Sequence, residues 1–377
     1  MISSMQPTDI DNSEYAHGNI FLLTNEIDES PAGGRELLCK LNRNALKEIY
    51  GDRCMVFELP KSTVRGFKSI INTFRGYLDG LSAETLAEVL ERIQVENIDK
   101  IFVDGSNFGE FIRVVKNRFP QIEISTFFHN VEARFFFGSL RQTKTPHALA
   151  VLMVNYLAER KAVKYSDKII CLSERDSGLL QRIYGRAATD ISPMALQENL
   201  PIAAFSFADE DREKFALFVG GAFYANQAGI SWFVKNVAPR IDINICIVGR
   251  GLEELKIQLE TPGKVEVIGA VDSLAKWYMN SHFVIAPIFD GSGMKTKIAE
   301  ALMYGKKIIG SPEAFSGYEE IADKAGCVCA TVDDFVSAIE SADAMVRCPF
   351  DRELRAIYEE RYSYAAARLR LERILAL

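Results

Sequence analysis

The stretch from Pro287 to Gly310, PIFDGSGMKTKIAEALMYGKKIIG, decides the fold of this 377-residue chain. It begins as an apolar strand, passes through a loop that contains Gly291 and Gly293, and continues as a helix and a second strand. Glycines let the backbone turn sharply and approach a ligand closely. The first N–H groups of a helix lack internal partners, so an anion, and phosphate above all, is expected there. A Walker loop is excluded because the Gly-Lys-Ser/Thr ending is absent.

Three charged residues of this stretch are candidate ligand contacts. Lys295 and Lys297 add positive charge at the amino end of the helix, where the helix dipole is already positive, and a bound anion would offset that conflict. Glu300 follows one to two turns later, where its carboxylate is placed to accept hydrogen bonds from the hydroxyls of a sugar. The alternative is a tight loop with solvated lysines.

Strands and helices alternate on both sides of this stretch. Strands are predicted at residues 19–25, 54–59, 100–103, 123–128, 168–172, 215–219, 244–248, 265–268, 283–287 and 307–309. Helices between them are predicted at 35–49, 83–96, 147–165, 228–237, 252–259, 273–280 and 296–304. Such alternation builds parallel sheets covered by helices.

The alternation lapses at residues 192–211, which are rich in proline, small and acidic residues. The sequence therefore predicts two doubly wound, Rossmann-like α/β domains, at residues 1–195 and 212–350, joined by this linker. Ligands of such sheets bind at the carboxyl ends of the strands, so the site is expected in the cleft between the domains.

Composition excludes several classes of protein. Hydrophobic residues make up 48% and charged residues 25%, as in ordinary globular proteins, and the net charge of −7 argues against a nucleic-acid partner. The first 18 residues lack the apolar core of a signal peptide, and no apolar run reaches membrane-spanning length. The seven cysteines lack paired metal-ligand spacing, which favours reduced thiols in the cytoplasm.

The run from Gly291 to Ile309 resembles the nucleotide-sugar-binding signature of the retaining glycosyltransferase family four, whose members have the two-domain GT-B fold. Supporting stretches are FVGGAFYANQAGISWF at 218–233, ICIVGRG at 245–251 and VIGAVDSLAKWYMNSHFVIAPI at 267–288. They follow the order and spacing of the donor-binding domain of that family. The resemblance is specific over about Phe215–Tyr318 and loose over the first half of the chain.

The resemblance implies roles for residues around the glycine loop. Glu300 would hold the ribose hydroxyls of the nucleotide, and Lys295 with the backbone of Gly293 and Met294 would meet the diphosphate. The first acid of the family's pair lies eight positions before the second, whereas Asp290 lies ten positions before Glu300. Either Asp290 or the backbone of the next two residues would therefore contact the donor sugar.

A second departure from the family concerns the loop that contains Gly221, which is expected to bind the donor. The family's arginine and lysine are missing from Gly220–Asn226, and Lys295 and Lys297 are expected to supply their charge. Val271 matches the segment that holds the base through backbone groups. For Arg250, contact with base or phosphate and a solvated turn are both open.

The first half of the chain offers three further candidates. Gly33 and Gly34 resemble the family's glycine loop, which faces the donor phosphates. His129 follows the strand at 123–128 and matches the active-site histidine. From residue 59 to 78 the chain has no acid, and Lys61, Arg65 and Lys68 alternate with apolar residues. That pattern indicates either contact with an acceptor or an anionic membrane, or a solvated helix face.

The sequence thus predicts a retaining hexosyltransferase that moves a sugar from a nucleoside-diphosphate sugar to a hydroxyl of a glycan or lipid-linked acceptor. His129, Asp290 and Glu300 are its predicted catalytic residues. No metal is expected, since no Asp-x-Asp motif ends a strand, and no cofactor besides the co-substrate. The family context suggests bacterial surface polysaccharide synthesis in the cytoplasm, at the inner face of the membrane. The helices at 351–377 are expected to pack back on the first domain.

Two alternatives stay open at this stage. One is a non-hydrolysing sugar-nucleotide 2-epimerase of the same fold, and the other is a catalytically degenerate binding partner. A nicotinamide dehydrogenase is disfavoured, because neither domain opens with Gly-x-Gly-x-x-Gly followed by an acid.

Overall fold

The first domain is a parallel sheet with helices on both faces. The computed structural model describes residues 18–27, 33–60, 72–200 and 214–376. The strands of this domain are β1 (Ile20–Asn25), β2 (Cys54–Leu59), β3 (Lys100–Asp104), β4 (Glu123–Phe128), β5 (Lys168–Cys171) and β6 (Asp190–Ile191). Its helices are α1 (Gly34–Tyr50), α2 (Ala83–Val95), α3 (Gly109–Arg118), α4 (Glu132–Thr143), α5 (Pro146–Tyr165) and α6 (Glu174–Tyr184).

The second domain repeats the same plan. Its strands are β7 (Phe215–Val219), β8 (Asn244–Val248), β9 (Val265–Gly269), β10 (Phe283–Ala286), β11 (Ile308–Gly310) and β12 (Gly326–Val328). The helices are α7 (Tyr224–Asn236), α8 (Lys256–Leu259), α9 (Ala275–Asn280), α10 (Thr296–Met303), α11 (Ala322–Ala325), α12 (Val332–Glu340) and α13 (Ala342–Met345). The helix predicted over 252–259 is divided into a 3₁₀ turn at Leu252–Leu255 and the short α8.

Both sheets have six parallel strands with one reversal of winding. The strand orders are β2-β1-β3-β4-β5-β6 and β12-β11-β10-β7-β8-β9. The winding reverses between β1 and β3 and between β7 and β10, which is where ligands of such sheets bind. The prediction of two doubly wound domains is confirmed.

Continuous apolar runs form the strands, because helices cover both faces of each sheet. All four residues of β10 are buried, and so are the first five of β1. On α2 the predicted apolar face, Leu86, Val89, Leu90 and Ile93, is buried.

The end of the chain returns to the first domain. It forms α14 (Arg352–Ile357), a π-helical turn and α15 (Tyr364–Ala376). Leu196 donates to the carbonyl of Tyr362 at 2.8 Å and accepts from the N–H of Tyr364 at 2.9 Å. The Tyr364 hydroxyl donates to Glu48 of α1 at 2.8 Å. The chain therefore crosses between the domains twice, with the two crossings paired.

Candidate functional site

Loops from the carboxyl ends of the two sheets meet between the domains. A Cβ added to Gly34, at the start of α1, would lie 3.2 Å from Thr296 Cγ2, the first residue of α10. A Cβ added to Gly293 would lie 3.0 Å from the carbonyl oxygen of His129. The structure thus brings together Gly34, Gly293 and His129, which are far apart in the sequence.

His129 belongs to a buried hydrogen-bonded cluster. Its Nε2 lies 2.8 Å from Asp104 Oδ1 and 3.5 Å from Cys39 Sγ. Asn42 donates to the same Asp104 oxygen at 3.1 Å. Burial alone would raise the pKa of Asp104, but the neighbouring His129 outweighs it and holds the pKa below its ordinary value. The carboxylate therefore fixes the orientation of the imidazole, as an orienting acid does in catalytic pairs.

The same three side chains offer one ligand atom each within 4.8 Å of one another. Thiolate, imidazole and carboxylate are ligands that Zn²⁺ accepts. The 2.8 Å contact of Asp104 with His129, and the amide of Asn42 on the same oxygen, have the distances of ordinary hydrogen bonds. Asp104 Oδ2 and His129 Nδ1 are buried and have no partner in the described part of the chain.

Asp104 was not among the sequence-predicted site residues. The apolar run was expected to end at Val103, whereas β3 continues to Asp104 and buries it completely. The signal that could have located it is the acid followed by Gly105, whose φ of +142° lets the chain turn at the strand end. Arg35 is a second residue near the site that was not predicted from the sequence. Its guanidinium donates to Asn107 Oδ1 at 3.1 Å.

Glu132, at the start of α4, is also buried beside this cluster. Burial raises its pKa to about 7, against the lowering effect of Arg35 and with a further rise from Glu159. Glu159 accepts from the backbone N–H groups of Glu132 at 2.8 Å and Ala133 at 3.1 Å. It thus caps the helix that follows His129.

The loop before α10 has the backbone that its glycines predict. Gly291 and Gly293 have φ values of +133° and +64°, which favour glycine. Asp290 Oδ1 accepts from the N–H of Gly291 at 2.8 Å and lies 3.6 Å from Arg134 of the first domain. Its other oxygen lies 3.5 Å from the Tyr224 hydroxyl. Asp290 therefore lies at the domain boundary.

Lys295 is the N-cap residue of α10, and its charge is already paired. Its Nζ lies 3.0 Å from Glu313 Oε1, and Glu313 also binds Arg175 of the first domain at 3.0 Å. Burial lowers the pKa of Lys295, which Glu313 partly offsets. A phosphate at this helix end would compete with Glu313 for the ammonium group.

Lys297 is buried, whereas a lysine that binds phosphate from a surface loop is expected to be exposed. It is 6% exposed, donates to Asn226 Oδ1 at 2.8 Å, and lies 4.5 Å from the centre of the Phe218 ring. Burial lowers its pKa to about 7, while Glu300 raises it and Lys295 lowers it further. No carboxylate of the described residues forms an ion pair with Lys297, so an anion arriving beside it would restore its charge.

Glu300 lies half-buried on α10, one turn after Lys297. Its Oε2 accepts from the Tyr278 hydroxyl at 2.7 Å, and Tyr278 stacks on Tyr304 with ring centres 4.8 Å apart. Burial raises the pKa of Glu300 against the effects of Tyr278 and Lys297. The tyrosine fixes one carboxylate oxygen and leaves the other available to a ligand hydroxyl.

The remaining second-domain candidates follow the carboxyl ends of strands of the second sheet. The carbonyl of Gly221 accepts from Asn226 Nδ2 at 2.9 Å. Arg250 is exposed, and its carbonyl accepts from Ala222 at 3.0 Å. Val271 is half-buried against the core, and Met294 is buried with its sulfur 3.4 Å from the N–H of Met194.

Gly33 and Gly34 begin α1 at the edge of the cleft. Gly33 is the N-cap in an extended conformation, and its lack of a side chain leaves the first N–H groups without a side-chain cap. Such groups suit an anion. Lys61, Arg65 and Lys68 lie outside the described residues.

Residues 213–342 match the family model described as glycosyl transferases group 1. The resemblance inferred from the Gly291–Ile309 run is confirmed. No curated protein matches the chain. No helix of the described ranges is long and apolar enough to cross a membrane.

Solved structures share the fold over nearly the whole chain. Sucrose-phosphate synthase from Thermosynechococcus elongatus is 13% identical with a TM-score of 0.70, covering 94% of this chain and 98% of that one. HepE from Anabaena in complex with UDP-glucose is 13% identical with a TM-score of 0.64, covering 94% and 99%. The lipopolysaccharide outer core galactosyltransferase WaaB is 14% identical with a TM-score of 0.64, covering 95% and 100%. At these identities the likeness establishes the GT-B fold.

Proposed function

Because its second domain matches the group 1 glycosyltransferases, we propose that this protein transfers a hexosyl group from a nucleoside-diphosphate sugar to a hydroxyl of a glycan or lipid-linked acceptor, with retention of configuration. One observation carries the proposal. The glycine-led start of α1 and the glycine loop before α10 face each other across the domain boundary, with the His129–Asp104 pair beside them.

The diphosphate binds at the amino end of α10 in this proposal. The N–H groups there, with Lys295 and Lys297, stabilise the charge that develops as the nucleotide leaves. No step requires a metal, because these cations and dipoles already act on the phosphates. The HepE structures with UDP and with UDP-glucose make a uridine nucleotide the first candidate donor.

Glu300 holds the ribose through its free oxygen, and His129 meets the sugar or the acceptor hydroxyl. In a front-side displacement the glycosidic oxygen of the donor leaves with the bonding pair as the nucleoside diphosphate. The acceptor oxygen bonds to the anomeric carbon on the same face, and its proton passes to the leaving phosphate. The Asp104–His129 pair orients the imidazole during this exchange.

We base the proposed acceptor and cellular location on the family that the second domain matches. A glycan or lipid-linked acceptor of a bacterial surface polysaccharide, reached at the inner face of the membrane, fits both the fold and the WaaB likeness. Contact of Lys61, Arg65 and Lys68 with the acceptor or the membrane belongs to this proposal.

A thermal-shift panel of UDP, GDP, ADP, TDP and CMP, with and without EDTA, tests the donor class. A ligand at 100 times its dissociation constant stabilises by about 2.7 kcal/mol, which moves the melting temperature by several degrees. A shift by one nucleoside diphosphate that EDTA does not change supports metal-free binding, and no shift with any of them contradicts the proposal. The sugar nucleotide of the base that shifts the melting temperature is then used as the donor. NMR of the product distinguishes retention of the α configuration from inversion. It also distinguishes sugar transfer from 2-epimerisation of the donor.

A further inference from the structure

The helical hairpin formed by α4 and α5 carries exposed apolar side chains that no described residue covers. Leu149, Met153 and Leu157 are 49%, 46% and 38% exposed, and Phe137 on α4 is 48% exposed. The three residues of α5 recur every four positions, so they share one face of the helix. Lone exposed apolar residues are ordinary, whereas an aligned stripe indicates an interaction surface.

The charges on the solvent side of the hairpin are all positive. Its two acids, Glu132 and Glu159, are buried. Arg141 and Lys144, at the end of α4 and just after it, are exposed, and so are Arg160 and Lys164 on the stripe-bearing face of α5.

Basic residues of the hairpin differ in their partners. Lys161 pairs with Glu110 at 2.7 Å, and Arg134 lies 3.6 Å from Asp290. By contrast, Arg141, Lys144, Arg160 and Lys164 form no ion pair with any carboxylate of the described ranges. In a chain of net charge −7, this concentration of unpaired positive charge points to an anionic partner.

The apolar stripe and the basic residues form one continuous strip. Positions 149, 153, 157, 160 and 164 fall within about 80° of the helix circumference and extend over about 22 Å of its length. Apolar side chains flanked by lysine and arginine suit the boundary between headgroups and acyl chains of an anionic bilayer. A folded acidic protein would match the charge but would leave three protruding aliphatic side chains against a charged surface.

The hairpin also adjoins the cleft. The Phe135 ring of α4 stacks on Phe223 of the second domain, with centres 6.2 Å apart and planes at 11°. A Cβ added to Gly138 would lie 3.6 Å from the Asp290 carboxylate. A bilayer that binds the hairpin would therefore lie next to the cleft between the two domains.

We propose that the outer face of the α4–α5 hairpin binds the surface of an anionic lipid bilayer. This inference concerns binding alone and does not depend on the proposed reaction. It rests on residues other than Lys61, Arg65 and Lys68.

Co-sedimentation of the full chain with phosphatidylcholine vesicles, with and without phosphatidylglycerol, tests the inference. Binding is expected with the anionic vesicles only and is expected to weaken as salt screens the charges. A basic residue near such a surface contributes a factor of roughly five in affinity, so Arg141→Gln with Lys144→Gln should weaken binding about 25-fold. A triple variant, Leu149→Ser with Met153→Ser and Leu157→Ser, should bind less tightly than the wild type at the same salt.

The matched control is Lys256→Gln with Ile257→Ser, which removes one exposed cation and one fully exposed apolar side chain from the second domain. It should bind like the wild type. All altered residues are exposed, so far-ultraviolet circular dichroism should be unchanged. Wild-type protein that stays in solution with anionic vesicles overturns the inference. Equal binding to neutral vesicles, or equal loss in the control, also overturns it.

Discussion

Replacing Lys297 with methionine is expected to stabilise the unliganded protein and to weaken its binding of a nucleoside diphosphate. Burial lowers the pKa of Lys297 from 10.5 to about 7. At 1.36 kcal/mol per pKa unit, holding the proton in the folded state below pH 7 costs roughly 5 kcal/mol. The lost hydrogen bond to Asn226 offsets about 1 kcal/mol, and the lost cation–π contact with Phe218 offsets about 2 kcal/mol. The expected net stabilisation is about 2 kcal/mol below pH 7.

The pH dependence gives this prediction a signature. Between pH 7 and 10.5 the unfolded chain holds a proton on Lys297 that the folded chain lacks, so the stability of the wild type rises with pH in this window. The advantage of Lys297→Met should therefore be largest below pH 7, should fall by about 1.4 kcal/mol per pH unit above it, and should reach zero at about pH 8.5 and reverse at higher pH.

Urea unfolding followed by tryptophan fluorescence measures this effect, because both tryptophans of the chain, Trp232 and Trp277, lie in the second domain. Lys235→Met is the matched control, since Lys235 is exposed in the same domain, and its stability should stay within about 0.5 kcal/mol of the wild type. Calorimetric titration with UDP should show roughly 30-fold or greater loss of affinity in Lys297→Met. This is the loss expected when one charge-assisted hydrogen bond to the ligand is removed. A variant less stable than the wild type at pH 6.5, or one that binds UDP equally well, would refute this account of Lys297.

Three further substitutions test the site. Glu300→Ala should lower kcat/KM for the donor about 100-fold without unfolding the chain, and Tyr278→Phe should lower kcat/KM less. Unchanged turnover in Glu300→Ala would exclude Glu300 from the donor site. His129→Ala should lower the free energy of unfolding by about 3–5 kcal/mol, because it leaves Asp104 buried without its main donor, and an equal loss in His129→Gln would argue against that reason. Glu132 has a folded pKa of about 7, so its ionisation alone should lower the free energy of unfolding by about 3 kcal/mol as pH rises from 4.5 to 7. Glu132→Gln should reduce that slope in urea midpoints measured across this range, and an unchanged slope would contradict it.

Strands such as β1 and β10 were predictable because each is a short apolar run buried on both faces. Their ends were less certain. Asp104 is polar, so the hydrophobic pattern places it outside the strand, and only the pairing with His129 across the sheet reveals its role. Contacts between distant parts of the chain carry no local signal.

The two lysines of the glycine loop illustrate the same limit. Sequence position identified Lys295 and Lys297 as charges at a helix start, which they are. Nothing local indicates that Glu313, 18 residues later, pairs with Lys295. Helix α10 is buried on nearly all sides, so Lys297 is enclosed where an amphipathic helix would expose it.

The paired crossings at Leu196 and Tyr362 have a consequence for biosynthesis. Helix α15, which covers α1, lies about 170 residues after the last strand of the first sheet. At about 5–20 residues per second, the ribosome makes that strand roughly 10–30 s before it makes the helix. During that time the second domain is synthesised, while the face of α1 around Glu48 waits for the later segment that carries Tyr364.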